Sequence, residues 1–200
     1  SNRMIEFFDF MKEEGLSTRS QARVVSSVRT YLKFCESRGL KAPELRELRP
    51  PKVKTSLPKS ITTEEFEKLF NSCVVEDASK TIRNRLTLLF LYGLGCRVSE
   101  LIGLNLNDFS ATDRWVKVLG KGRKERLIPL TDSLYMALDQ YLKEARENLA
   151  SDYASSGLQP LLLNDRGHHP SRVDIWRWLA SWSARAGFDE PVHPHRFRHG

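Results

Sequence analysis

Cysteine is scarce in this chain of 200 residues: Cys35, Cys73 and Cys96 stand far apart, with no CxxC pair. That spacing excludes a zinc ribbon and a disulfide framework and points to a reducing compartment. Long apolar runs are missing too. No stretch approaches the about 18 apolar residues of a membrane span, and no signal peptide opens the chain. The longest apolar run, Leu86 to Cys96, is broken by Thr87, Tyr92, Gly93 and Gly95 and reads as a buried helix. A soluble, cytoplasmic protein is the expectation. There is no HExxH metal motif, no GxxxxGK[ST] phosphate loop and no internal repeat.

What is present suffices for a sizeable core, with 40% hydrophobic and 28% charged residues. The net charge of +7 favours a polyanionic partner, above all nucleic acid. The excess is uneven. Residues 1–58 hold 12 Lys and Arg against 7 Asp and Glu, whereas residues 59–200 hold 20 against 18. Between the two regions stand Pro43, Pro50, Pro51 and Pro58, interleaved with Lys52, Lys54 and Lys59. Proline cannot continue a helix and lacks the N–H a central strand needs, so an extended basic linker is expected over residues 46–59.

Ahead of the linker two helices are expected. Met4 to Glu14 ends at Gly15 as a C-cap, and Ser20 to Arg38 buries a stripe of Ala22, Val25, Val28, Leu32 and Phe34. Arg19, Ser20, Arg23, Ser26, Ser27 and Arg29 fall mostly off that stripe. Short polar and basic groups on one exposed face suit phosphate and base contacts in a DNA groove. An ordinary amphipathic helix accounts for the same pattern.

Beyond the linker, Thr62 and Glu65 fit a capping box. Helices follow over Thr81 to Tyr92, Arg97 to Leu104, Leu134 to Ala150 and Ser171 to Ala186. Trp176, Trp178 and Trp182 on the last read as core packing rather than a stacking surface. Trp115–Leu119 and Arg126–Leu130 form a hairpin around Gly120-Lys121-Gly122-Arg123, and Leu161–Leu163 is a short buried stretch. The fold class is mainly α with a small antiparallel β-sheet.

Three segments carry candidate chemistry. Arg97 stands beside glycine turns and offers a planar fork to a phosphate, with Glu100 placed to hold a cation. Lys121 stands at a glycine-flanked hairpin tip and can reach into a groove; with a lowered pKa it could donate a proton. His195 and Arg198, three apart, suit acid–base work and a phosphate oxygen. His195 and His199 also have the spacing of a two-histidine metal pair, but two intervening arginines disfavour a cation there. His168-His169-Pro170 reads as a loop. Arg97, Lys121, His195 and Arg198, with no aspartate cluster for magnesium, favour metal-free phosphoryl transfer. The nucleophile is left open among five tyrosines, the serines and water.

These motifs resemble the tyrosine recombinase (phage integrase) family, its Xer-type bacterial members most closely. Gly93 to Leu104, Gly120 to Leu130 and Pro194 to His199 match its first arginine motif, hairpin lysine and HxxR box, in the family's order. The resemblance implies a partial helical core-binding domain over residues 1–45 and a catalytic domain over 60–200, incomplete at its C-terminus. By resemblance Arg97 and Arg198 hold the scissile phosphate, Lys121 protonates the leaving 5′-oxygen, His195 takes a proton or binds phosphate, and Glu100 supports them. Arg19, Ser20, Arg23, Ser26, Arg29 and Arg123 would contact double-stranded DNA. A tyrosine attacks to give a 3′-phosphotyrosyl bond, with no metal or cofactor. The family works as a tetramer on paired sites, in some cases with a paralogous recombinase.

No tyrosine follows Tyr153, so none matches the nucleophile position. The chain is therefore expected to be truncated at both ends and inactive alone. A phage or integron integrase, a type IB topoisomerase, a non-catalytic DNA-binding module and a metal-dependent hydrolase using His193, His195 and His199 are the alternatives.

Overall fold

The computed structural model describes residues 2–40, 50–51, 60–120, 122, 124–150 and 159–198; the side chains of residues 2–5, 8 and 198 are outside that description. The expected linker, apart from Pro50 and Pro51, therefore lies outside the described residues. The chain divides into two compact units, Ser1–Leu57 and Pro58–Gly200.

The first unit carries α1 (Asn2–Glu13) and α2 (Thr18–Ser37). Gly15, at φ +73°, ends α1 as expected. Its N–H donates to Lys12 O at 3.0 Å and that of Leu16 to Met11 O at 3.1 Å, which satisfies carbonyls the helix leaves open. Ser17 opens α2 by accepting the Ser20 N–H at 3.2 Å. Met11, Val25 and Leu32 are buried. Phe34 departs from the expected stripe and is 54% exposed. At 3.6 residues per turn, Cys35 follows Leu32 on the inner face and Phe34 is carried outward. There its ring receives the Arg38 guanidinium at 5.3 Å.

The second unit begins with α3 (Thr63–Ser72). The capping box forms as expected: Thr62 Oγ1 accepts from Glu65 N at 3.2 Å, and Glu65 Oε2 from Thr62 N at 3.0 Å. The core is built on α4 (Ala78–Gly93), whose Leu86, Leu88, Phe90 and Leu91 are fully buried. A buried leucine contributes roughly 1.5–3 kcal/mol, so these side chains fix the helix more firmly than its propensity does. Arg83 is buried on the same helix. It pairs with Asp165 at 2.6 Å, donates to Asn84 Oδ1 and lies 4.1 Å from the Trp178 ring centre. A buried charge is tolerable only when it is paired and hydrogen-bonded in this way.

The sheet has antiparallel order β1–β2–β3, from β1 (Phe109–Ser110), β2 (Trp115–Leu119) and β3 (Glu125–Pro129). The hairpin stands where the sequence put it, with Val118 opposite Arg126 and Leu119 opposite Glu125. Two-residue β1 was not foreseen, being too short to show alternation. The helix expected from Leu134 to Ala150 is α6 (Asp132–Gln140), a π turn (Tyr141–Ala145) and α7 (Arg146–Leu149). At the π turn the buried Tyr141 hydroxyl accepts the Leu163 N–H at 3.0 Å, which ties the helix to the buried Leu161–Leu163 run.

Finally α8 (Arg172–Arg185) is capped by Ser171 and Asp174. Trp182 is buried and Trp178 half-buried against the core, but Trp176 is 53% exposed. Core packing thus holds for two of the three tryptophans. A short 3-10 turn, Pro194–Arg198, follows. The fold is mainly helical with one small sheet. Among the described residues no helix is long and apolar enough to cross a membrane.

Candidate active site

The second unit assembles its site from the ends of α4, α5 (Val98–Ile102) and α8, with the inner face of β3. After α4 the chain turns through Gly95 at φ +54° and leaves Arg97 as N-cap of α5. Three residues on, Glu100 turns its carboxylate back. Oε2 accepts the Arg97 N–H at 2.8 Å, and Oε1 accepts from Arg97 Nη1 at 2.9 Å.

A second arginine meets the same carboxylate. Arg126 Nη1 donates to Oε1 at 3.1 Å and Nη2 to Oε2 at 2.9 Å, a two-pronged contact. The Glu100 side chain is 3% exposed, whereas those of Arg97 and Arg126 are 43% and 41% exposed. Burial pushes the Glu100 carboxyl up. The hydrogen bonds from Arg126, the Arg97 N–H and the Arg97 guanidinium outweigh it and bring the group down to about 2. Arg126 is in turn held protonated by Glu100.

Arg97 opens onto a cleft of about 460 Å³ that it lines with Val98, Ser99, Arg172, Trp176, His193 and His195. The His193 and His195 rings stack at 5.0 Å with 12° between their planes. His195 N–H donates to His193 Nδ1 at 3.3 Å, which makes that nitrogen an acceptor. Burial, and then the neighbouring His195, lower the His193 pKa and so favour its neutral form. The segment is fixed from behind. Arg196 Nη2 donates to Glu65 Oε2 at 2.6 Å, Ile61 N–H donates to Arg196 O at 3.1 Å, and Phe197 is buried.

The structure thus brings together Arg97, Glu100 and His195 among the expected residues. Lys121 and Arg123 lie outside the described residues. Arg198 is placed only through its backbone in the Pro194–Arg198 turn. On the first unit Arg19, Ser20, Arg23 and Ser26 are exposed along α2, while Arg29 is half-buried. A groove beside them is lined by Arg23, Ser26, Ser27, Thr30, Tyr31 and Phe34.

Arg126, Arg172 and Trp176 were not singled out as site residues. For Arg126 the signal was present. Strand alternation puts Arg126 on the same face as Ile128, opposite inward Val118, and a charge on an inner face needs a carboxylate. Arg172 and Trp176 stand four apart on α8, a helix-face pairing that carried no motif. Among the described residues no group of His, Cys, Asp and Glu is arranged to hold a metal ion. None of the described tyrosines lines the cleft.

Residues 59–200 match the model of the Phage integrase family. The chain is 38% identical over 189 residues to a protein named tyrosine recombinase XerD from Mycobacterium tuberculosis (strain CDC 1551 / Oshkosh), covering 92% of this chain and 60% of that one. It is 32% identical over 201 residues to tyrosine recombinase XerD from Bifidobacterium longum (strain NCC 2705), covering 97% of this chain and 65% of that one. The chain therefore spans less than two thirds of the length of these relatives. Among solved structures, XerH site-specific recombinase bound to palindromic difH substrate superposes with a TM-score of 0.74 at 20% identity, covering 98% of this chain and 59% of that one. XerA recombinase gives a TM-score of 0.58 at 23% identity, covering 98% and 65%. With the fold of recombinases of known structure and a family match over all but the first unit, this chain belongs to the phage integrase family, the tyrosine recombinases.

Proposed function

We propose that the chain is part of a Xer-type site-specific recombinase that cuts and rejoins double-stranded DNA through a 3′-phosphotyrosyl intermediate. The observation that carries the reading is one carboxylate, Glu100, ordering Arg97 at the edge of a cleft that also holds His195. The guanidinium of Arg97, with that of Arg198, binds the non-bridging oxygens of the scissile phosphate, where charge develops in the transition state. His195 accepts the tyrosine proton as the phenolic oxygen attacks phosphorus. Lys121 gives a proton to the departing 5′-oxygen. One P–O bond replaces another, so a 5′-hydroxyl can later reverse the step on a new strand without a cofactor.

The nucleophile is a tyrosine other than the five in these residues. All five precede the Pro194–His199 segment, whereas the nucleophile of the family it resembles follows that box; among the described ones, Tyr141 is buried with its hydroxyl accepting the Leu163 N–H, Tyr92 stacks on Phe66 and Tyr135 lies under Arg114. The 200-residue chain alone then binds DNA without cutting it. Binding draws on the exposed basic and polar face of α2 and on Arg123. A tetramer on paired sites, with a paralogous partner in some settings, completes the reaction.

The test is a nicked suicide duplex, which traps the covalent intermediate. The chain is produced with its reading frame extended past Gly200 and run on a denaturing gel beside the 200-residue form. The expected result is a protein–DNA adduct from the extended form alone, lost in Arg97→Ala and Arg198→Ala. An extended frame with no tyrosine after Arg198 would replace this reading with a non-catalytic DNA-binding module.

A further inference from the structure

We infer that Arg126 is a positioning residue that acts through Glu100 to keep the guanidinium of Arg97 free to bind phosphate. The inference deepens the recombinase reading and rests on it. Its basis is how four donors divide over two oxygens. Arg126 takes one lobe of each carboxylate oxygen with its own fork. What remains for Arg97 is its backbone N–H on Oε2 and the single Nη1 on Oε1. Nε and Nη2 of Arg97 have no hydrogen bond among the described residues.

A carboxylate facing one arginine prefers the two-pronged geometry. Without Arg126, Glu100 would turn both oxygens to Arg97 and occupy the fork that a phosphate needs. The charges lead to the same conclusion. Two guanidiniums around one carboxylate leave a surplus of one positive charge at the mouth of the cleft. One guanidinium and one carboxylate leave none. Arg126 faces inward from β3, where its partners among the described residues are Glu100 and the Cys96 thiol. The base of the hairpin turn lies over the pair. A Cβ on Gly120 would stand 3.5 Å from Arg126 Nη1 and 3.7 Å from Glu100 Oε1, so Glu100 is covered from solvent on that side.

The test exploits a reversal that a purely structural role does not produce. Arg126→Gln removes the second arginine. Arg126→Gln with Glu100→Gln removes the carboxylate as well and frees Arg97 again. The first measurement uses the 200-residue chain with 15N-labelled arginine, following the Arg97 Nε–H signal during titration with inorganic phosphate. The wild type is expected to titrate, Arg126→Gln to lose the response, and the double variant to regain it. Arg126→Lys, which keeps the charge, should retain part of it. Circular dichroism confirms that each variant is folded.

The second measurement is single-turnover cleavage by the extended protein. Arg126→Gln should cut about 100-fold more slowly at saturating DNA, with little change in DNA affinity. The double variant should recover about tenfold of that loss. A double variant no better than Arg126→Gln in the phosphate titration overturns the inference, as does a wild type whose Arg97 ignores phosphate. If the extended wild type forms no adduct while the titration behaves as expected, the recombinase reading fails and the role of Arg126 stands.

Discussion

Arg196 donates to Glu65 at 2.6 Å, joining residues 131 apart in sequence. The carboxylate oxygen it meets, Oε2, is the one that accepts the Thr62 N–H and caps α3. A single atom therefore closes the first helix of the unit and anchors the segment that presents His195. Glu65→Gln keeps a cap but loses the charge on the Arg196 bond. With both side chains about one quarter exposed, the expected cost is about 1 kcal/mol, read as a lowered urea midpoint. Amide exchange over residues 193–197 should quicken in the same variant, and exchange in α6 should not.

Glu100 makes stability depend on acid. Its carboxyl is at about 2 in the folded protein against an ordinary value of 4.5. A depressed carboxylate pKa stabilises the fold fully above the unfolded value. That contribution is lost as pH falls through the folded one. The window is therefore pH 4.5 down to about 2, and the contribution is on the order of 3 kcal/mol. Urea unfolding at pH 6, 4 and 2.5 should show the wild type losing more stability than Glu100→Gln over this range. Equal losses would mean the carboxylate is not held as described.

Tyr141→Phe removes a hydroxyl that accepts from the buried Leu163 N–H. The orphaned donor has no water to turn to, so the variant should lose about 2 kcal/mol. Chemical denaturation measures it. A loss below a few tenths would show that the π turn can close without this bond.

Arg23 is exposed on α2, where it lines the groove with Ser26 and Tyr31. If it meets a DNA phosphate, Arg23→Ala should weaken binding similarly on all sequences and reduce the slope of log affinity against log salt by about 1. Fluorescence anisotropy from low to moderate salt checks it. An unchanged slope would remove Arg23 from the interface.

Local rules made much of this legible. The capping box at Thr62 and Glu65, the glycine that ends α1 and the presence of the hairpin each depend on residues a few positions apart. The misses depend on distant neighbours. Phe34 looked apolar enough for the inner stripe, but the phase of the helix carried it out. Trp176 and Trp178 flank Arg177, with an apolar residue on the other side of each, and only the packing of α8 decides which one meets the core. Arg97 and Glu100 could be paired from their spacing; for Arg126 strand alternation gave an inward charge but not its partner, which lies 26 residues back.

The helix that Arg97 caps, α5, is five residues long. A segment of that length does not hold itself together in water, and here the Glu100 side chain supplies both its opening bond and the orientation of Arg97. Fraying of that one turn and loss of the anion-binding geometry are thus a single event. If Arg97 binds a phosphate as proposed, the fraction of time it can do so is set by a local folding equilibrium, and amide exchange at Leu101, whose N–H closes the turn on Arg97 O, would report it.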